Sequence, residues 1–231
     1  MVKQLFKYFI IFLLSIFFSL YCFEYYLVNN VGYLNLQKKS KIYKKQTGLD
    51  YDKRSKIQAY KDLKKNFTDL TVTIVPKSYA VNYPDIKIMP LSGVSNSKTL
   101  HCNENGYYSI FDSDRYGFNN PDKEWDKLEI EFLLLGDSLT MGECVNRPND
   151  FTSNLRILSG KSALNLGYSS NGPNIQLAVL REFMGPNVKK ILWMYFEGND
   201  LKDLEDTKVS KILEKYILDK NFSQNLKLKQ N

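Results

Sequence analysis

The stretch "FLLLGDSLTMGE", residues 132–143, decides how this chain is read. Four apolar residues run into Gly136-Asp137-Ser138, and a helix-compatible segment follows. A short apolar run that breaks into turn residues suits a strand buried on both faces. A serine at its end stands on the rim of a sheet, where a nucleophile is useful.

The downstream sequence repeats the alternation. "FTSNLRILSG" places Phe151, Leu155 and Leu158 at helical spacing, and Gly160 suits a C-cap. "SALNLGYS" reads as a second short strand. "PNIQLAVLREFM" opens with a proline near helix position N1 and sets Ile175, Val179 and Phe183 on one face. "VKKILWMYFEGND" is a third strand, and "LKDLEDTKVSKILEKYILD" suits one more helix. The order β-α-β-α-β-α with short connections implies an α/β domain built on a parallel sheet. Ligands bind such sheets beyond the carboxyl ends of the strands. Ser138, the 167–172 loop and Asn199 all fall there.

A serine hydroxyl needs a base to take its proton. Acyl transfer also needs donors aimed at the developing oxyanion. The backbone N–H of Ser138, an N–H near Ser170 and the Asn199 amide are candidates for those donors. At this level of detail the chain resembles the SGNH/GDSL hydrolase superfamily. "LLLGDSLTMGE" looks like its first block, around the nucleophile Ser138; "ALNLGYSSNGP" is similar to the second; "MYFEGNDL" is similar to the third, with Asn199 as the oxyanion asparagine. "SDRYGFNNPD" just upstream is similar to membrane-associated bacterial members. The likeness covers about residues 104–205. It implies a flavodoxin-like three-layer fold and a serine esterase or deacylase acting on O-acyl groups of carbohydrates or lipids. It implies no metal and no organic cofactor.

The chain departs from the family pattern in three places. The loop donor of the second block is usually a glycine, but by spacing from Asn165 its place falls on Ser170, with Gly167 and Gly172 as alternatives. Glu197 replaces the usual leading glycine of the third block. Finally, the family's Asp-x-x-His block, which supplies the general base, has no counterpart. The single histidine, His101, precedes Ser138, and its setting "TLHCNENG" reads as an ordinary loop. The sheet and the missing histidine together give the expectation of a hydrolase domain incomplete at its C-terminus. A catalytically inactive SGNH-like domain that binds a glycan, lipid or protein partner is the second reading.

Before this domain the chain changes character. "YFIIFLLSIFFSLYC", residues 8–22, is uncharged and apolar, and residues 5–28 reach the roughly 20 residues a bilayer core needs. No A-x-A cleavage pattern follows, so the segment reads as an uncleaved transmembrane signal anchor over residues 1–30. A basic linker is expected over 31–65, an irregular β-containing leader over 66–126, and the hydrolase domain over 127–231. Net charge is +7, and the excess sits between Lys38 and Lys65, which argues for a membrane-proximal segment and against a nucleic-acid surface. The positive-inside rule, weighing that cluster against Lys3 and Lys7, favours a cytoplasmic C-terminal flank. The resemblance implies the opposite, a periplasmic or cell-surface catalytic domain.

Within the leader, "LTVTIVP" (70–76) alternates like a strand, and "SYAVNYPDIKIMPLSG" could hold another. The three cysteines, Cys22, Cys102 and Cys144, show no zinc spacing. Cys102 and Cys144 could pair, but two free buried thiols are the plainer reading. Asp137 reads as a turn former, Asp200 as a cap of the following helix, and Asp203, Glu205 and Asp206 as a solvated helix start. Arg115 and Asn119 read as stabilisers of the leader loop.

Overall fold

Residues 1–75 contain no proline, and residues 33–47 contain no glycine and are rich in Lys, Gln and Leu, good helix formers. The computed structural model describes the backbone of residues 2–229 and the side chains of residues 4–28 and 35–229. Its first helix, α1, runs unbroken over Val2–Thr47. Residues Gln4–Val28 of α1 are long and apolar enough to cross a membrane, and none of that stretch is buried in the protein. At 1.5 Å per residue it spans about 37 Å, against a hydrocarbon core of about 30 Å. The start of the expected linker is therefore helical: α1 continues to Thr47 and stops at Gly48, which adopts φ +74° and donates its N–H to Lys44 O. Lys3, and the side chains of residues 29–34 where anchor and linker were expected to meet, lie outside the described side chains.

The chain divides into two compact units, residues 1–53 and 54–231. The second opens with helix α2 (Lys56–Leu63), whose N-cap Ser55 and Gln58 form a reciprocal capping box. A small sheet follows. Its strands are β1 (Thr71–Val72), β2 (Lys98–Leu100) and β3 (Ile110–Asp112), with helix α3 (Pro76–Asn82) between β1 and β2. Strands β1 and β2 are parallel, and β2 and β3 antiparallel. Here the sequence expectation needs correcting. Only two residues of "LTVTIVP" join a ladder, because Pro76 takes helix position N1 and starts α3. No strand forms in "SYAVNYPDIKIMPLSG"; its Met89 and Leu91 enter the core from irregular chain.

The main sheet contains β4 (Ile130–Gly136), followed by the single-turn helix α4 (Ser138–Met141) and helix α5 (Phe151–Ser159). Then come β5 (Ala163–Asn165), α6 (Pro173–Phe183) and β6 (Val188–Met194). The strand order is β5-β4-β6 and both pairings are parallel, with Leu134 opposite Asn165 on one side and Leu192 on the other. The chain is thus mixed α/β with a parallel sheet. The last helical stretch is two helices, α7 (Asp200–Thr207) and α8 (Lys211–Leu218). The Thr207 hydroxyl bonds back to Asp203 O, and Ser210 stands at the N-cap of α8.

The core joins Leu133 and Leu135 of β4 to Ile175, Val179 and Phe183 of α6, and to Met89, Leu91 and Phe118 of the leader. The α6 stripe lies where the sequence puts it. The α5 stripe does not: Phe151 and Leu158 are 49% and 86% exposed, while Thr152 and Ser153 are buried. Strand β6 is an edge strand with Ile191 and Trp193 exposed.

Candidate functional site

Three strands deliver the candidate residues. Since β4, β5 and β6 run parallel, their carboxyl ends share one edge of the sheet. Ser138 follows β4, Ser170 lies beyond β5, and Asn199 follows β6.

The turn at Ser138 is set by packing. A side chain on Gly136 would meet Thr140 Oγ1 at 2.1 Å, so α4 can close onto the strand only over glycine. Asp137 caps α4 by accepting the Leu139 N–H at 3.1 Å. At the other end Gly142 takes φ +89°, and the Glu143 N–H bonds to Ser138 O at 3.0 Å. Ser138 is therefore the first residue of a helical turn, where backbone N–H groups have no intrahelical acceptor. It is half-buried, and among the described residues none hydrogen-bonds its hydroxyl.

The Asn165 amide clips β5 to α4: Nδ2 donates to Thr140 O at 2.6 Å and Oδ1 accepts the Gly167 N–H at 2.9 Å. The Gly167 N–H is thus already engaged. A Cβ on Gly167 would lie 2.5 Å from Thr140 Cβ, and one on Gly172 would lie 2.5 Å from Asp203 Cβ. Close approach accounts for both glycines. Ser170 sits in a tight turn closed by Asn171 N–H to Tyr168 O at 3.0 Å, with φ +62°, the left-handed region that favours glycine.

Asn199 occupies the N-cap position of α7 without capping it. Its Nδ2 donates to Asp203 Oδ2 at 2.9 Å, and its amide also favours the Asp137 carboxylate. Asp137 and Asn199 are therefore neighbours, although they come from different strands. Burial raises the Asp137 carboxyl above its ordinary range, against the Leu139 N–H and the Asn199 amide, which favour the charge. Asp200 is fully buried and accepts the Phe196 N–H at 2.7 Å, closing the loop before α7. That corrects its expected role as a cap of the helix that follows it. Asp203 is not solvated either: it is buried and paired with Lys77 Nζ at 2.6 Å, and Asp206 shares that lysine at 2.7 Å. Glu205 and Glu197 are exposed.

The leader supports the Ser138 turn from the other side. Asn119 Nδ2 donates to Met141 O at 2.9 Å. Asn120 binds β5 twice, through Asn165 O and the Asn165 N–H. Fully buried Asp114 gathers Asn120, Trp125 Nε1 and the Tyr116 and Phe118 N–H groups. Arg115 ties the loop together through Asp122 and Asp126, both within 2.8 Å. Sequence reasoning missed Asp114 and Asn120. Their signal was the turn-rich "DSDRYGFNNP", whose polar residues satisfy one another.

His101 is buried, and its Nδ1 lies 2.8 Å from Thr73 Oγ1. Burial and the nearby Lys56 charge lower its pKa to about 4. It makes no hydrogen bond with Ser138 among the described residues. Cys102 and Cys144 are joined in a disulfide with Cα atoms 4.9 Å apart, which overturns the free-thiol reading. A groove of about 370 Å³ between α6 and β6, lined by Leu177, Leu180, Ile191 and Trp193, does not include Ser138. No family model, curated protein or solved structure matches the chain.

Proposed function

We propose that this chain is a membrane-anchored serine esterase or deacylase of the SGNH/GDSL type, acting on an ester such as the O-acyl group of a carbohydrate or lipid. One observation carries the reading. Ser138 leaves the central strand on a glycine-dependent turn with its hydroxyl unpartnered, and the Ser170 turn and Asn199 follow the two flanking strands. Ser138 attacks the ester carbonyl. The N–H groups of Ser138 and Ser170, with the Asn199 amide, receive the oxyanion. Gly172 is the alternative loop donor; the engaged N–H of Gly167 argues against Gly167. The Asn199–Asp203 bond holds the amide in one orientation and commits one of its two hydrogens.

Residues 4–28 anchor the protein in the bilayer. The disulfide supports an exported second unit, because such bridges persist in oxidising compartments. That argument opposes the charge count around α1.

Among the described residues no base contacts Ser138, so unaided turnover is expected to be slow. A second reading, a silent domain that binds such ligands without cleaving them, rests on the same observation. Chemical rescue separates the two. With an activated short-chain ester, added imidazole is expected to raise protein-dependent hydrolysis at least tenfold. Ser138→Ala should leave only the background of imidazole itself, and mass spectrometry should place the acyl group on Ser138. Equal rates for the wild type and Ser138→Ala would leave the silent-domain reading standing.

A further inference from the structure

Two dipeptides face one another beside the Ser138 turn: His101-Cys102, at the end of β2, and Glu143-Cys144, just after α4. A ring nitrogen of His101, Cys102 Sγ and a carboxylate oxygen of Glu143 lie within 4.8 Å of one another, and Cys144 is bonded to Cys102. We propose that these four residues form a redox-gated zinc site, a disulfide when oxidised and a His-Cys-Glu-Cys centre for Zn²⁺ when the bridge is reduced.

The histidine is prepared for a metal. The Thr73 hydroxyl donates to Leu100 O at 3.0 Å, so its oxygen can only accept from His101 Nδ1–H at 2.8 Å. This hydrogen bond fixes the tautomer and leaves a lone pair on Nε2. That atom is buried without a partner, in a residue only 4% exposed. Metal-binding histidines are oriented in this way, by a hydrogen bond from the nitrogen that does not ligate. Glu143 Oε2 is likewise buried and unpartnered, while its Oε1 lies 4.0 Å from Cys102 Sγ. Two side chains beside one disulfide thus each keep a buried, unsatisfied lone-pair donor.

The chemistry balances. A dithiol reductant gives two electrons and two protons to the Cys102–Cys144 bond and leaves as its own cyclic disulfide; the protein gains two thiols. Zn²⁺ then displaces both thiol protons. Two thiolates, one carboxylate and a neutral imidazole around Zn²⁺ leave a net charge of −1. Lys56 lies close enough to interact electrostatically with both His101 and Glu143 and offsets that charge. Sulfurs about 2.3 Å from a tetrahedral zinc lie roughly 3.8 Å apart. Two cysteines that have lost their bond reach that spacing by side-chain rotation. The zinc set escapes sequence-spacing rules because its halves are 42 residues apart.

The test uses the full chain in detergent, carrying Cys22→Ser to remove the exposed free thiol. One portion is kept oxidised. The other is reduced with a phosphine, which takes up oxygen from water as the bond opens, and is freed of reductant under anaerobic conditions. Zn²⁺ is titrated against a chromophoric chelator, and Co²⁺ is followed by its thiolate charge-transfer and tetrahedral d–d absorption. The expected result is one Zn²⁺ per reduced chain, none on the oxidised chain in the same concentration range, and a tetrahedral cobalt spectrum. His101→Ala and Glu143→Gln should each weaken binding at least tenfold. Far-UV circular dichroism confirms that each variant is folded, and Glu143→Gln keeps the size of the side chain. Equal binding in both redox states, no binding to the reduced chain, or binding unchanged in both variants overturns the proposal. None of these results depends on ester hydrolysis.

Discussion

Asp137 shows how one residue can serve the turn and strain it electrostatically. It is 2% exposed and accepts the Leu139 N–H, as a turn-forming aspartate should. Asp203 and Asp200 lie near enough to repel its charge. Burial is the larger effect, and together they raise its carboxyl above the ordinary value of 3.8. The folded protein holds this proton at pH values where the unfolded chain has released it, so ionised Asp137 costs stability at neutral pH. The cost vanishes once both states are protonated, below the ordinary value. Asp137→Asn keeps an acceptor for Leu139 and removes the charge. It is expected to raise the melting temperature at pH 7, with the gain gone at about pH 2.5, well below the ordinary aspartate value of about 3.9. Thermal melts of both proteins at the two pH values check this. A loss of stability of equal size at both would show that the cap matters and the charge does not.

At the scale of elements, what the sequence revealed depended on length and burial. Strand β4 and helix α6 were legible because a seven-residue, largely apolar strand and an eleven-residue amphipathic helix both enter the core. Helix α5 was legible as a helix but not in its facing, because periodicity locates an apolar stripe without saying what covers it. Strands β2 and β3 have three residues each, too few for an alternation to register. Helix α3 won its residues from an apparent strand through Pro76. The candidate site followed the same division. The ends of β4 and β6 were readable, whereas the burial of Asp203 and its pairing with Lys77, 126 residues away, could not be seen, and that buried carboxylate is what engages Asn199 four residues before it. The Ser170 turn lies between these cases: its place could be counted from Asn165, but its left-handed backbone could not be seen. A non-glycine residue there costs roughly 1–2 kcal/mol, and glycine loses about 0.5–1 kcal/mol of chain entropy on folding. Ser170→Gly is therefore expected to stabilise the protein by about 0.5–1 kcal/mol. Ser170→Val should destabilise it, because β-branched residues fit that region worst. Urea unfolding of the two variants measures the difference, and a glycine variant less stable than the wild type would mean that the serine side chain supports the turn.

For the molecule as a whole, the disulfide matters most to the second unit. It closes a 42-residue loop between the end of β2 and the segment after α4. That loop contains β3, the polar turn around Asp114, and β4. The leader and the main sheet already share one hydrophobic core, in which Met89, Leu91 and Phe118 meet Leu133 and Phe183. The bridge therefore restrains an unfolded chain whose folded halves hold together by packing. Loop-closure entropy for this length gives about 4 kcal/mol, a large share of the 5–15 kcal/mol typical of a whole domain. Cys102→Ser with Cys144→Ser should lower the stability by a corresponding amount, with a steeper dependence on denaturant because the unbridged chain unfolds to a more expanded state. Both tryptophans, Trp125 and Trp193, lie in the second unit, so their fluorescence reports its unfolding without a signal from α1. The helical signal of α1 in detergent should survive at denaturant concentrations where the tryptophan signal is lost. A midpoint shift worth less than about 0.5 kcal/mol, within the range of an ordinary surface substitution, would mean that packing alone holds the leader to the sheet.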